Sequence, residues 1–256
     1  MSDAPVYLTR EGETATLVLN QPARRNAVSS AMWEAIPDRL REAEADTGIR
    51  LLKVTGAGEH FAAGADISEF ETVYATPESA ARYSARISAA LDALERFVKP
   101  TIAVIRGACV GGGVSIAAAC DLRIAAGSSR LAITPGKLGL VYPYDDVRRL
   151  VRLIGEAAAK DLLFSGRLIA AEEAFRLRLV DRVEADLAAG LAALEAEILA
   201  SSQWSLQAIK AMIGHVARGD SGAGASLFLS AFEGEDFQSG YRAFLAKEKP
   251  DFNWRG

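Results

Sequence analysis

The stretch Arg106-Gly107-Ala108-Cys109-Val110-Gly111-Gly112-Gly113-Val114-Ser115 lies between an apolar strand-like run and a helix-like run. An earlier stretch, Phe61-Ala62-Ala63-Gly64-Ala65-Asp66-Ile67, has the same setting. We call the earlier stretch the first glycine turn and the later one the second glycine turn. Their small residues leave backbone N–H groups uncovered, and the N-terminus of a following helix favours negative charge. Two such N–H groups that converge on one oxygen form an oxyanion hole, so the pair predicts a site that stabilises a negatively charged oxygen.

The periodicity of apolar residues along the chain predicts an α/β fold. Strands are predicted at residues 14–19, 49–55, 101–105, 121–125 and 131–134. Helices are predicted from a cap at Ser29 or Ser30 to about residue 45, at residues 66–74, and from Pro77 to just before Lys99. The first of these helices places Trp33, Ile36 and Leu40 on one face. From about residue 145 the pattern is nearly all helical, which predicts an α/β core with a helical appendage.

Composition limits the class of protein. The 256 residues are near the upper size for one hydrophobic core, half of them are apolar and 24% are charged. A net charge of −4 does not indicate a nucleic-acid partner. Cys109 and Cys120 lie among small apolar residues, so we expect buried thiols in a reducing cytoplasm. The N-terminal residues do not predict a signal peptide, and no apolar run is long enough to predict a membrane span.

Further motifs accompany the two glycine turns, at residues 17–22, 25–29, 120–125, 137–140, 165–167, 179–183 and 241–247, with Ala174 and Pro250. In order and spacing they resemble the enoyl-CoA hydratase/isomerase family, also called the crotonase superfamily, over nearly the whole chain. The resemblance implies a ClpP/crotonase-like core of repeated strand–strand–helix units, residues 1–199. It also implies a helical C-terminal region, residues 200–256, that covers the CoA site and mediates homotrimers, which often pair into hexamers.

The resemblance also implies a chemistry for the glycine turns. The backbone N–H groups of Ala65 and Gly112 would bind the thioester carbonyl of an acyl-CoA and stabilise the enolate formed from it. The family consists of lyases and isomerases of fatty acid metabolism, in which coenzyme A is part of the substrate and no separate cofactor is implied. We therefore expect an acyl-CoA substrate and no nucleic-acid or membrane partner.

Seven residues match CoA contacts of the family. They are Ala63 and Ile67 at the adenine, Arg24 and Arg25 near the phosphates, and Phe228, Phe244 and Lys247 from a C-terminal region that a neighbouring subunit often supplies. Alternatively, the two arginines and the lysine are solvated surface charges that do not contact CoA. Asp66 is predicted to cap the helix that follows it rather than to catalyse.

The two glutamates of a family hydratase are absent from this sequence. Such an enzyme holds and splits a water between two glutamates, one acting as base and one as acid. The matching positions here are Ser115 and Pro135. Serine binds water but is a poor base without an activator, so ordinary two-glutamate hydration is not expected.

The segment that ends at Tyr142 resembles the corresponding stretch of methylmalonyl-CoA decarboxylases, in which a tyrosine lies near the reacting acyl group. Decarboxylation forms the enolate by loss of carbon dioxide and needs no strong base. The alternative is that Tyr142 only packs beneath the next helix. Asp145 and Asp146 are predicted in the first turn of that helix.

Three hypotheses follow. The chain is a hydratase or isomerase that uses Ser115, Tyr142, Asp145 or Asp146; a carboxyacyl-CoA decarboxylase that uses Tyr142; or a catalytically weak acyl-CoA-binding member. Glu69 and Glu71 are expected to be exposed to solvent. His60 and His215 lack partners at metal-ligand spacing, so no metal site is expected.

Overall fold

The computed structural model describes residues 3–254, apart from the side chains at positions 218 and 221–223. The outermost two residues at each end lie outside this range. The predicted regions 1–199 and 200–256 each extend two residues beyond the described range. The prediction that there is no signal peptide also concerns the first two residues, which lie outside that range. Within the described range, no helix is both long enough and apolar enough to cross a membrane.

The strands form a large sheet and a small one. They are β1 (Val6–Glu11), β2 (Thr14–Leu19), β3 (Leu51–Gly56), β4 (Thr101–Ile105), β5 (Ala108–Val110), β6 (Leu122–Ala126), β7 (Arg130–Ala132), β8 (Ile169–Ala170) and β9 (Arg182–Glu184). The large sheet has the order β1-β2-β3-β4-β6-β9, and the small one has the order β5-β7-β8. In the large sheet only β1 and β2 are antiparallel, so the strands that follow need crossover connections.

The helices are α1 (Ser30–Ala45), α2 (Phe70–Val73), α3 (Pro77–Glu95), α4 (Gly112–Ala119), α5 (Tyr144–Ser165), α6 (Ala171–Arg176), α7 (Leu187–Leu199), α8 (Gln203–Arg218), α9 (Ser221–Ser230) and α10 (Glu235–Ala246). The Ser29 side chain caps α1 by accepting the Met32 N–H, and Trp33, Ile36 and Leu40 are buried, as the sequence predicts. The predicted helix at residues 66–74 is a 3₁₀ turn, Ile67–Glu69, followed by the short α2.

Both faces of the central strands of the large sheet are buried, because helices cover them. Alternate side chains such as Leu52 and Val54 join the main core on the face covered by α1 and α3. The intervening side chains, such as Ile102 and Val104, pack with Leu194 of α7 on the other face. Full burial of one such side chain stabilises the fold by about 1.5–3 kcal/mol. Cys109 and Cys120 are buried free thiols, as predicted.

The C-terminal third differs from its predicted all-helical pattern. Two short strands, β8 and β9, lie within it, and β9 pairs with β6 at the edge of the large sheet. Strands of two and three residues are too short to show an apolar period, so the local pattern does not reveal them. Helix α5 is broken at Gly155, which has φ +76°.

Helices α8 to α10 carry the apolar face predicted for self-association. Trp204, Leu206 and Met212 are half-buried within the chain, whereas Ile209 is exposed. An aromatic row follows, with edge contacts from Phe228 to Phe232 and from Phe232 to Phe237, and a tilted contact from Phe237 to Tyr241. The predicted trimer is not tested by a single chain and stays a prediction.

Candidate functional site

The two glycine turns lie side by side, although they are far apart in sequence. The Val110 N–H donates to the Ala62 carbonyl at 2.9 Å, and the Ala62 N–H donates to the Ala108 carbonyl at 3.1 Å. Gly113 makes this approach possible, since a Cβ at that position would lie 2.5 Å from the Ala62 carbonyl oxygen. The second glycine turn also contains β5, which the sequence did not predict.

The N–H groups of Ala65 and Gly112 lack backbone acceptors within residues 3–254. Gly112 is the first residue of α4, where an N–H has no intrahelical partner. The backbone groups on either side of Ala65 are already hydrogen-bonded: the Gly64 carbonyl accepts from the Val28 N–H, and the Asp66 N–H donates to the Val28 carbonyl. A Cβ placed on Gly112 would lie 3.6 Å from the Ala65 nitrogen, so two half-buried N–H groups without acceptors are close neighbours.

The backbone at Gly64 and Gly111 sets the direction of these N–H groups. Gly64 has φ +107° and Gly111 has φ +49°, a region that side-chain-bearing residues rarely adopt. Gly111 is fixed by donation of its N–H to the Ala132 carbonyl of β7 at 2.9 Å. The backbone conformation therefore requires glycine at both positions.

A chain of polar side chains begins at Ser115, one turn into α4. The Ser115 Oγ lies 2.5 Å from the Tyr142 hydroxyl and 2.9 Å from Oδ2 of Asp146. The Tyr142 hydroxyl also lies 3.2 Å from the carbonyl oxygen of Gly111, beside Gly112. Asp146 is in the first turn of α5, as the sequence predicts, and is only 4% exposed. The chain thus links the second glycine turn to a buried carboxylate.

The hydrogen bonds of this chain have a direction. An ionised carboxylate only accepts hydrogen bonds, so the Ser115 hydroxyl donates to Asp146. The Ser115 oxygen is then free to accept from Tyr142, and the 2.5 Å contact is shorter than the one from Tyr142 to Gly111. The order Tyr142 to Ser115 to Asp146 leaves lone pairs of the Tyr142 oxygen available to another group.

Burial shifts the protonation equilibria of both ends of the chain. It raises the pKa of Asp146 above the ordinary value, with the hydrogen bond from Ser115 and the charge of Arg149 acting against it. Burial of the hydroxyl also raises the pKa of Tyr142, with the charge of Asp146 adding to the effect. Tyr142 therefore remains protonated at neutral pH, and Asp146 is a stronger base than an exposed aspartate.

Arg149 holds Asp146 in place. Its guanidinium is 1% exposed and lies 3.1 Å from Asp146, 2.7 Å from Asp92 and 2.8 Å from Glu95. Burial acts to raise the pKa of Glu95, but the charges of Arg149 and Arg148 outweigh it and lower that pKa. Since Asp92 and Glu95 belong to α3, these ion pairs fix the start of α5 against α3.

Asp66 caps the turn after Ala65, as predicted, by accepting the Ser68 N–H at 3.1 Å. Its other oxygen accepts from Arg24 at 2.7 Å and from Gln21 at 3.0 Å. Burial tends to raise the pKa of Asp66, but hydrogen bonds from Ser68, Gln21 and Arg24 lower it to about 2. Arg24 is thus held against the first glycine turn by this ion pair, although its side chain remains 55% exposed.

Other predicted CoA contacts lie near this turn. The Arg25 carbonyl accepts the Ala63 N–H at 2.9 Å, which brings the loop at residues 24–25 against the first glycine turn. Ile67 follows in the same turn and is exposed. One chain therefore brings together Arg24, Arg25, Ala63 and Ile67.

The model of the enoyl-CoA hydratase/isomerase family matches residues 9–255 of this chain. The chain belongs to the enoyl-CoA hydratase/isomerase family. It is 31% identical to a crotonyl-CoA hydratase of Syntrophomonas wolfei, with 96% of this chain and 97% of the relative covered. It is 32% identical to a 2,3-dehydroadipyl-CoA hydratase of Escherichia coli, with 98% and 99% covered. Among solved structures, an enoyl-CoA hydratase/isomerase family protein from Hyphomonas neptunium is 49% identical, with a TM-score of 0.94 and 98% of each chain covered.

These comparisons confirm the family and the crotonase-type α/β fold predicted from the sequence. They also confirm the coarser function, an acyl-CoA-processing enzyme of this family. The roles of individual residues and the exact reaction remain predictions.

The three C-terminal residues predicted to contact CoA lie apart from the glycine turns of their own chain. Phe228 is exposed, Phe244 is 82% exposed, and Lys247 ends α10 in a left-handed conformation. In the described part of the chain, no hydrogen bond or ion pair joins these three residues to either glycine turn. A cavity of about 600 Å³ between α8 and α10 also shares no lining residue with the turns.

The environment of Glu69 differs from the one predicted. Glu69 was expected in solvent, but its carboxylate is half-buried and accepts from the Ser30 N–H at 2.7 Å and the Ser30 hydroxyl at 2.8 Å. This contact ties the first glycine turn to the start of α1, and no local sequence signal indicates it. Pro135 begins a 3₁₀ turn and supplies no carboxylate. In residues 3–254, no three His, Cys, Asp or Glu side chains are grouped to hold a metal ion.

Proposed function

We propose that this protein converts an acyl-CoA thioester through its enolate, and that the Tyr142–Ser115–Asp146 chain moves the proton. The supporting observation is that two N–H groups without backbone acceptors, at Ala65 and Gly112, adjoin a directed chain that ends on a buried carboxylate. In this proposal the two N–H groups bind the thioester oxygen, which becomes negatively charged when the enolate forms. Donors of this kind contribute about 3–4 kcal/mol each in other enzymes.

In the proton step, Tyr142, Ser115 and Asp146 take the place of the usual two glutamates. The Tyr142 oxygen accepts a proton, either from the α-carbon of the substrate or from a water whose oxygen bonds to the β-carbon of the enoyl group. At the same time the Tyr142 proton passes to Ser115, and the Ser115 proton passes to Asp146. Reversal of the same transfers returns a proton to the enolate. The net reaction is either addition of water to an enoyl double bond or movement of that double bond, so the proposed enzyme is a hydratase or isomerase.

CoA binding extends the proposal to the surface. Ala63 and Ile67 would contact the adenine, and Arg24 and Arg25 would lie near the phosphates. Phe228, Phe244 and Lys247 would contact CoA bound to a neighbouring subunit of a homotrimer, because their own chain keeps them apart from the turns. Light scattering tests the trimer directly, and a monomer at working concentration would contradict it.

Decarboxylation is the second candidate, and the position of Tyr142 favours it. In that reaction the bond between the α-carbon and a carboxylate breaks, its electrons enter the enolate and carbon dioxide leaves. Tyr142, kept protonated by burial, would then protonate the α-carbon. Only one proton donor is needed, which is compatible with proline at position 135.

One experiment separates these reactions. The protein is incubated in heavy water with crotonyl-CoA, 3-hexenoyl-CoA and methylmalonyl-CoA, and the products are analysed by mass spectrometry. Addition of water or a moved double bond with deuterium incorporation supports the hydratase/isomerase proposal. Loss of carbon dioxide supports the decarboxylase. Binding of all three thioesters without turnover would contradict both and indicate a catalytically weak member of the family.

A further inference from the structure

The side chain of His60 connects the two glycine turns. His60 immediately precedes the first glycine turn, and its ring nitrogen Nδ1 accepts the N–H of Ala108, in the second glycine turn, at 3.1 Å. With Nδ1 as the acceptor, the neutral ring carries its proton on Nε2. The contact joins residues 48 positions apart and shares no group with the Tyr142–Ser115–Asp146 chain.

The ring replaces a backbone carbonyl as a hydrogen-bond acceptor. Ala62 and Cys109 pair in parallel, and the Val110 N–H donates to the Ala62 carbonyl at 2.9 Å. Two residues earlier on each strand, a regular parallel ladder would have the Ala108 N–H donate to the His60 carbonyl. That carbonyl accepts from the side-chain amide of Asn26 at 2.7 Å. The Ala108 N–H donates instead to the ring of the same histidine.

The backbone around the ring is fitted to this contact. Gly107 has φ +52°, and a Cβ on it would lie 2.3 Å from Nδ1 of His60, so a side chain at position 107 would displace the ring. Asn26, which holds the His60 carbonyl, is fully buried. The Phe61 N–H donates to the Arg106 carbonyl at 2.8 Å, directly beside the contact. Both segments that the ring joins are thus fixed where they meet.

The contact lies at the start of the segment that carries the second proposed oxyanion donor. Ala108 is the first residue of β5, which ends at Val110, and Gly112 begins α4 two residues later. Ala65 follows His60 by five positions in the same way. Oxyanion donors must lie about 2.7–3.1 Å from the charged oxygen, so a small shift between the two turns misplaces one donor.

We propose that His60 is a positioning residue, whose ring holds the start of the second glycine turn against the first and so keeps the N–H groups of Ala65 and Gly112 at the spacing that one thioester oxygen requires. The inference rests on the proposed function, because it concerns the oxygen that those groups would bind. His60 itself touches no reacting atom. Donors that are misaligned weaken the transition state more than the bound substrate, so loss of the contact lowers kcat more than it changes KM.

Two substitutions at position 60 separate the acceptor from the bulk of the side chain. Asparagine places its amide oxygen where Nδ1 lies in histidine, whereas leucine fills similar space without an acceptor. In His60→Leu, we expect the Ala108 amide to exchange with deuterium about tenfold faster or more, as followed by NMR. We also expect kcat to fall by on the order of tenfold, with KM changed by less than about threefold. His60→Asn should keep both close to the wild-type values.

The kinetic substrate is whichever of crotonyl-, 3-hexenoyl- and methylmalonyl-CoA the wild type converts fastest. His215→Asn is the control, because His215 is the other histidine of the sequence and pairs with Asp220 at the end of α8. It should leave both measurements unchanged. If His60→Leu does not fold, His60→Gln replaces it, since glutamine carries its amide one atom further out and should show the same losses.

Slow exchange at Ala108 in the variants without an acceptor overturns the inference alone. A wild-type kcat despite faster exchange does so too, and so do equal losses in the leucine and asparagine variants, since the acceptor would then not be the cause. If the wild type converts none of the three thioesters, the proposed function fails, and the catalytic consequence of the His60 contact fails with it.

Discussion

Ser115 and Asp146 lie 31 positions apart in sequence and share a hydrogen bond of 2.9 Å between Oγ and Oδ2. Ser115 comes from the first turns of α4, and Asp146 comes from the first turn of α5. A carboxylate thus reaches the position next to the second glycine turn from a different element than the family pattern suggests. Ser115, which is a poor base alone, acquires an acceptor for its proton.

Asp146→Asn should lower turnover of the enoyl-CoA substrate by about 10²- to 10⁴-fold, the usual contribution of a general acid or base. The amide has the shape of the carboxylate and accepts a hydrogen bond from Ser115, but it cannot take up a proton. Steady-state kinetics give the loss, and thermal unfolding checks that the fold is kept.

Asp145→Asn is the matched control for that substitution. Asp145 occupies the same helical turn, is half-exposed and pairs with Arg148 at 3.3 Å. Its variant should retain the wild-type rate within about twofold, because an exposed ion pair contributes little. Equal losses in both variants would contradict the role given to Asp146.

As the pH is lowered, the rate should begin to fall at a higher pH than it would if the base were an ordinary, exposed aspartate. Burial raises the pKa of Asp146, and the proposed base is the ionised form, so activity is lost as the pH falls through that raised value. An unperturbed aspartate titrates near pH ~3.9. A pH profile of kcat/KM measures the acid limb, and the same limb in Asp146→Asn would assign it to another group.

Gly112→Pro should abolish turnover, because proline has no N–H to donate to the thioester oxygen. Loss of one such donor lowers kcat by about 10²- to 10³-fold in other enzymes. Proline is tolerated at the first position of a helix, which is where Gly112 lies, so the fold should persist. Circular dichroism and kinetics together test the prediction.

Gly112→Ala separates the donor from the side chain, since it keeps the N–H and adds a Cβ 3.2 Å from the Trp33 ring. We expect it to lose much less activity than Gly112→Pro. If the proline variant keeps full activity, Gly112 is not an oxyanion donor.

Gly113→Ala should destabilise the protein by about 1–3 kcal/mol or more, because its Cβ would lie 2.5 Å from the backbone oxygen of Ala62. That oxygen cannot move without breaking its hydrogen bond with Val110. Gly127→Ala, where nothing lies within 4 Å of the new Cβ, is the control and should be nearly neutral. Chemical denaturation measures both, and equal stabilities would show that the two turns can separate at little cost.

Asp66→Asn should lower stability at neutral pH by about 1–2 kcal/mol, since Arg24 is largely exposed and its pairing is screened. The folded pKa of Asp66 is about 2, below the ordinary value of ~3.9. Its contribution is therefore present above about pH 4 and disappears as the pH falls toward 2. The difference between variant and wild type should shrink over that window, whereas Glu71→Gln, at an exposed position on α2, should show no such trend.

Local patterns predict the elements whose own residues determine them. Strand β2 follows from alternating β-branched residues, and α1 follows from the Ser29 cap and the spacing of Trp33 and Ile36. Strand β9 could not be predicted, because three residues show no period and its partner β6 lies far away in sequence. Local patterns and the family pattern together predict the positions of the glycine turns.

The side-chain half of the site was harder to predict. Asp146 fits a helix N-terminus in sequence, and it does lie there, but its bond to Ser115 depends on how α5 packs against α4. The contact from Glu69 to Ser30 is of the same kind. Contacts that cross between elements leave no trace in the spacing of either partner.

The donors at Ala65 and Gly112 belong to the main chain, whereas Ser115, Tyr142 and Asp146 act through side chains. Among the standard amino acids, only proline removes a main-chain N–H, so almost any other single mutation leaves that group in the protein. The side-chain groups can be exchanged one codon at a time. Descendants of such a protein can therefore diversify the reaction they catalyse while they inherit unchanged the means of holding the substrate oxygen.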